Sequence, residues 1–114
     1  MSRALDAAAR RVADAAPVFA ALGDETRLKL ITRLCREGPL SISRLSEGAS
    51  MTRQAVSKHL GTLEESGLVQ ANQRGRERIY EIAPARLRAA QRYLDHVSAE
   101  WDSAIERLRA YVEK

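Results

Sequence analysis

From Leu87 to Tyr111 the apolar residues fall at steps of 3, 4, 3, 4, 3, 4 and 3: Leu87, Ala90, Leu94, Val97, Trp101, Ala104, Leu108 and Tyr111. Strands and loops do not use that spacing. It is the heptad pattern of a helix with one apolar stripe. Pro84 opens this helix, and its run to the C-terminus is roughly 45 Å long at ~1.5 Å per residue. A chain of 114 residues forms one domain with a core of its own. A domain of that size does not need so long a helix for its core, so part of the stripe requires a second surface. Leu87, Leu94, Val97, Trp101 and Leu108 are therefore expected in a contact between two copies of the chain.

The other end of the chain points the same way. Residues 3–16 form a helix with Leu5, Ala9, Val12 and Ala16 at steps of 4, 3 and 4. Its alanine face permits close helix packing, and Leu5 and Val12 join the expected dimer contact. Pro17 is expected to break or restart this helix, with a short turn over residues 18–22. Arg3, Asp6, Arg10, Arg11 and Asp14 interrupt the alanines, so this end does not read as a signal peptide. No apolar run approaches the ~20 residues that span a bilayer. The one cysteine, Cys35, leaves no partner for an intrachain disulfide. These features together favour the cytoplasm, and no membrane partner is expected.

The middle of the chain is strongly punctuated. Asp24 caps a helix whose expected buried stripe is Leu28, Ile31, Leu34 and Cys35, which makes Cys35 an inert core thiol; Gly38 and Pro39 stop it. Ser41 caps a short third helix with Ile42 and Leu45 inward and Gly48 at its end. Thr52 caps a fourth helix that reaches about Ser66, with Val56, Leu60 and Leu63 inward and Gly67 as its stop. The period then changes to two. Val69, Ala71, Ile79, Tyr80 and Ile82 mark a two-stranded hairpin around Gly75. Its tip carries Arg74, Arg76 and Arg78, opposed by Glu77 alone.

This order defines the expected fold: mainly α with a small β-hairpin, a winged helix-turn-helix of four helices, two strands and a fifth helix. One domain covers residues 1–114, with 1–16 and 84–114 for dimerisation and 40–82 as the helix-turn-helix and wing. The second helix of such a motif enters the major groove. Here it exposes Arg53, Gln54, Ser57 and Lys58, and no acidic residue stands between Thr52 and Gly61. Arginine pairs bidentately with guanine and glutamine with adenine, while serine and lysine hold phosphates or reach bases. Thr52 at the cap and His59 beside Leu60 complete the DNA-facing set. Arg74, Arg76 and Arg78 are placed to meet the neighbouring backbone or the minor groove. The formal charge of +4 decides little by itself. A polar helix face or an arginine-bearing tip taken alone is usually just solvated. The succession of capped helix, turn, capped helix and wing gives them a use.

The segments FAALGDETRLKLITRL and SISRLSEGASMTRQAVSKHLGTLEESGLVQANQRGRERIYEI resemble the ArsR/SmtB family of bacterial transcriptional repressors, over about residues 18 to 82. The resemblance implies a homodimer on an imperfect palindrome of double-stranded DNA, the operator at its own promoter, released by a signal. Metal-sensing members carry Cys-Val-Cys on the helix before the recognition helix. This chain has Ser41, Ile42 and Ser43 there, and neither serine is a useful soft-metal ligand. Other members use Asp and His pairs on the last helix, which here offers Asp95, His96, Glu100 and Asp102. With one histidine, the His96 and Glu100 spacing reads as a surface ion pair. No metal site and no cofactor is expected, and a small-molecule effector is left unidentified. Two other readings stand beside the repressor: an interaction module docking a partner through the heptad helix, and a redox- or metal-responsive repressor using Cys35 across the dimer. Nothing in the spacing supports an enzyme.

Overall fold

The computed structural model describes residues 3–48 and 50–113. The elements run α1 (Arg3–Leu22), α2 (Glu25–Glu37), β1 (Leu40–Ser41), α3 (Ile42–Ser46), α4 (Arg53–Glu65), β2 (Val69–Arg74), β3 (Glu77–Ile82) and α5 (Pro84–Val112). The mainly α winged arrangement expected from the sequence is present. The caps are where the small polar residues placed them. Asp24, Ser41 and Thr52 each accept a hydrogen bond from the backbone N–H three residues on, at 3.0, 3.1 and 3.1 Å.

Three expectations are corrected. Pro17 does not break the first helix, which runs unbroken to Leu22. Proline removes the bond to the carbonyl four residues back, but Ala13 and Pro17 both lie on the exposed side, where solvent can reach that carbonyl. Ala15, Val18 and Ala21, buried on the opposite side, carry the helix past the proline.

The stripe of α2 is also displaced. Leu30, Ile31 and Leu34 are buried, whereas Leu28 is 47% exposed and Cys35 lies at the surface. Ile31 is flanked by a leucine three residues back and another one residue back, and helical spacing admits either neighbour. The buried flank is the one that contains Arg27, whose guanidinium reaches polar atoms of α1 and α4. Cys35 is thus a surface thiol on the far flank, not a core one.

The sheet has three strands instead of two. The order is β1-β3-β2, all antiparallel, with Leu40 opposite Tyr80 and Ser41 opposite Ile79. A strand of two residues is too short to show alternation. It nonetheless fixes the hairpin to the start of α3, so the wing is anchored to the helix-turn-helix. In β2 and β3, Val69 faces Ile82 and Ala71 faces Tyr80. Tyr80 is buried beside Leu60, Leu63, Leu68 and Val69 in the one core cluster.

Two glycines hold the ends of this unit. Gly67 has φ 81°, a left-handed conformation, and a Cβ there would lie 2.9 Å from Cγ of Arg86. Next to it, Ala83 donates to the Leu68 carbonyl at 2.9 Å, which joins the start of α5 to the end of α4. Gly75, with φ 61°, takes the first central position of the two-residue hairpin loop, as a type II′ turn requires.

Helix α5 leaves the domain. Ala90 is buried in it, Leu87 packs against the core, and the rings of Tyr93 and Phe19 of α1 meet with centroids 6.0 Å apart. Beyond that contact Leu94, Trp101 and Leu108 are 54, 66 and 64% exposed. A compact chain of this length has a radius of gyration of about 13 Å, whereas this one measures 18.7 Å and extends 66 Å along its longest axis. Of the stripe expected to meet a second copy, Leu87 is partly buried against the domain's own core. The residues from Leu94 onward are largely exposed, with Val97 half-buried, and Leu5 and Val12 on α1 are 62 and 50% exposed.

Candidate nucleic-acid interface

Val56, Leu60 and Leu63 fix α4 by its inner face, and each is no more than 1% exposed. The helical repeat then leaves Arg53, Gln54, Ser57 and Lys58 on the outer face, all exposed. Thr52 stands at the head of this face as its cap. These five residues, with Ile42, Ala55, Arg78 and Tyr80, line an open groove between the N-terminal half of α4 and the wing. The N–H groups of the first turn of α4 add partial positive charge there.

His59 is set apart from this face. It is half-buried, with Nδ1 3.3 Å from Arg27 Nη1 and 3.8 Å from Asp24 Oδ2. The Arg27 N–H that donates to Asp24 holds this carboxyl below the usual carboxylate range. Partial desolvation works against that effect, and the Arg27 charge reinforces it.

The three wing arginines separate into two environments. Arg74 and Arg76 are exposed at the tip, Arg74 opposite Glu77 in the β2–β3 register and Arg76 in the turn itself. Arg78 is not part of the tip. It lies one residue into β3, on the face shared with Tyr80, and is drawn toward α4. Its Nε donates to the Tyr80 hydroxyl at 3.2 Å, its guanidinium carbon lies 5.7 Å from the Tyr80 ring centroid, and Nη2 is 3.5 Å from the Glu64 carboxylate. Glu64, the first acid along α4, is thereby paired with a cation. The sequence did not show the Glu64 contact, because Glu64 and Arg78 meet only once the hairpin folds back on α4.

Arg44 was missed by the sequence reading. It is exposed on α3, the helix that crosses the DNA backbone in this kind of motif. The signal was available, since Arg44 follows the inward Ile42 by two positions. Just before α3 the Ser41 side chain is buried and already engaged as the cap, which leaves it no part in ligating a soft metal. His96 Nε2 lies 3.2 Å from Glu100 Oε1, the i, i+4 pairing expected of that spacing. Among the described residues no three His, Cys, Asp or Glu side chains gather as a metal site, and no helix is long and apolar enough to cross a membrane.

Residues 22–70 match the model of a helix-turn-helix domain family. Solved structures similar to this chain include an ArsR-like transcriptional regulator from Rhodococcus sp. RHA1, 40% identical with a TM-score of 0.73, covering 85% of this chain and 91% of that one. The arsenical resistance operon repressor of Escherichia coli is 30% identical over 95 residues, 83% of this chain and 79% of the relative. The transcriptional regulator NmtR of Mycobacterium tuberculosis is 35% identical over 93 residues, 82% of this chain and 68% of the relative.

Proposed function

Since this chain belongs to the ArsR/SmtB family of winged helix-turn-helix regulators and is a DNA-binding transcriptional regulator, we propose that it acts as a homodimeric repressor on a two-fold symmetric operator. Helix α4 lies in the major groove, and Arg74 and Arg76 of the wing meet the adjacent backbone or minor groove. The observation that carries this reading is the outward face of α4. Arg53, Gln54, Ser57 and Lys58 are exposed side by side, and the first acid beyond them, Glu64, is held by Arg78. Cations and amides with no free carboxylate opposing them form a surface matched to base edges and phosphates.

The roles divide by position. Arg53 and Gln54 at the head of α4 read bases, Ser57 and Lys58 hold phosphates or reach bases, and Arg44 of α3 meets the backbone. His59 stands behind the contact surface and holds it, and Arg78 holds Glu64 at the edge of the groove. Two copies joined through the uncovered faces of α1 and α5 set their α4 helices ~34 Å apart, one turn of DNA. The signal that releases the operator is of a chemistry other than soft-metal binding at Ser41 and Ser43.

Two substitutions separate base reading from backbone contact. Arg53→Ala should relax preference at one base position and cost about 1–3 kcal/mol against the preferred duplex. Arg76→Ala should weaken all duplexes alike and reduce the slope of log K against log salt by about 0.9 per protomer. Fluorescence anisotropy against single-base operator variants at several salt concentrations measures both. A uniform loss for Arg53→Ala would remove it from base reading.

A further inference from the structure

Arg27 lies in the first turns of α2, and its side chain reaches two other helices. Nε donates to the Ala21 carbonyl, Nη2 donates to the Ala20 carbonyl at 3.4 Å, and Nη1 lies 3.3 Å from Nδ1 of His59. Ala20 and Ala21 are in the last turn of α1, where carbonyls have no partner within the helix. His59 is in α4. Arginine can only donate, so a hydrogen bond here has Nδ1 of His59 as its acceptor.

This contact differs in kind from the others that seat α4. Val56, Leu60 and Leu63 pack it through apolar surface, which sets its depth but is non-directional. Arg78 ties its far end to the wing through Glu64. Among the described residues, Arg27–His59 is the one side-chain hydrogen bond from α4 to the layer of α1 and α2, beside the longer 3.8 Å approach of His59 Nδ1 to Asp24 Oδ2. It acts next to Ser57 and Lys58, where a small rotation of the helix would carry the outward side chains off their register.

We propose that Arg27 is a positioning residue for the recognition helix: by bonding the end of α1 and His59 together, it fixes the rotation of α4 and transmits displacement of α1 to it. Helix α1 carries Leu5 and Val12 on its exposed face. A change in how that face is covered therefore reaches the DNA-facing side chains through Arg27. The proposal rests on α4 being the DNA-contacting helix.

Three variants test it. Arg27→Lys keeps the charge, but its single ammonium cannot serve α1 and His59 together. His59→Leu removes the acceptor, and His59→Asn retains an acceptor oxygen close to the place of Nδ1. Affinities are measured for the duplex upstream of the gene and for a shuffled duplex. Arg27→Lys and His59→Leu should each weaken the upstream duplex about tenfold and leave the shuffled one within about twofold, and the double variant should be no worse than either single one. His59→Asn should recover most of the loss. Parallel losses on both duplexes, additive losses or no loss would overturn the proposal.

Amide hydrogen exchange gives an answer that does not depend on DNA. Arg27→Lys should accelerate exchange in α4 and the last turn of α1 and leave β2 and β3 unchanged. Uniform acceleration would mean lost stability alone and would also overturn the proposal. A wild-type chain that fails to distinguish the two duplexes refutes the operator reading, and the exchange pattern then decides the role of Arg27 by itself.

Discussion

Trp101→Glu is expected to convert the protein from a dimer of about twice 12.7 kDa to a monomer and to weaken operator binding by at least about a hundredfold. Trp101 is 66% exposed on its own protomer, so the fold of one copy does not need it. A tryptophan buries ~150–250 Å² when covered. At ~25 cal/mol per Å² that corresponds to roughly 4–6 kcal/mol per side chain as an upper bound. A two-fold interface makes the contact twice. Glutamate removes the apolar surface and adds a charge that the contact would have to desolvate. The DNA effect follows because a monomer must hold one half-site alone and loses the high effective concentration of its tethered second half. Leu28→Glu is the control: it adds the same charge at a leucine 47% exposed on α2, outside the stripe. Sedimentation velocity and anisotropy should show Trp101→Glu monomeric and weak-binding, with Leu28→Glu unchanged. A wild-type chain that sediments as a monomer would contradict the account.

The second large effect lies in the core. Leu60 is fully buried beneath the outward face of α4. Leu60→Ala should cost about 2–5 kcal/mol in stability. For a chain of this size that lowers the melting temperature by roughly 10–25 °C. Scanning calorimetry at one fixed protein concentration checks this, because dimerisation would make the midpoint depend on concentration. The cavity opens in the core cluster that Leu60 shares with Leu63 of the same helix and with Leu68 and Tyr80. DNA binding should therefore fail on warming well before it does in the parent protein. A shift of only a degree or two would mean that α4 is not seated by this side chain.

What was legible in the sequence follows the range of the interactions. Local chemistry was fully readable. Asp24, Ser41 and Thr52 cap helices through bonds spanning three residues, and Val56, Leu60 and Leu63 declare their face by spacing alone. Local patterns failed where two options were equally apolar, as with Leu28 against Leu30 on α2, and the choice fell to Arg27 and its distant partners. Cys35 was misplaced by the same error. Pro17 was read by its usual effect, but the exposed side of α1 tolerates it. Strand β1 is too short to have a period. The contacts that organise the interface, Arg27 with His59 and Arg78 with Glu64, span 32 and 14 residues. No spacing rule announces such pairs. The outward face of α4 was visible as a list of residues, whereas the polar supports behind it required the fold.

The outer face of α4 is expected to read a particular DNA sequence as part of a dimer. A titration of the wild-type protein against a labelled duplex from immediately upstream of its own gene, beside a shuffled duplex of the same composition, tests it most directly. The account predicts a Kd of about 10 nM or tighter for the upstream duplex at physiological salt, at least about a thousandfold weaker binding to the shuffled one, and two protomers per duplex. Equal affinity for the two duplexes would contradict it.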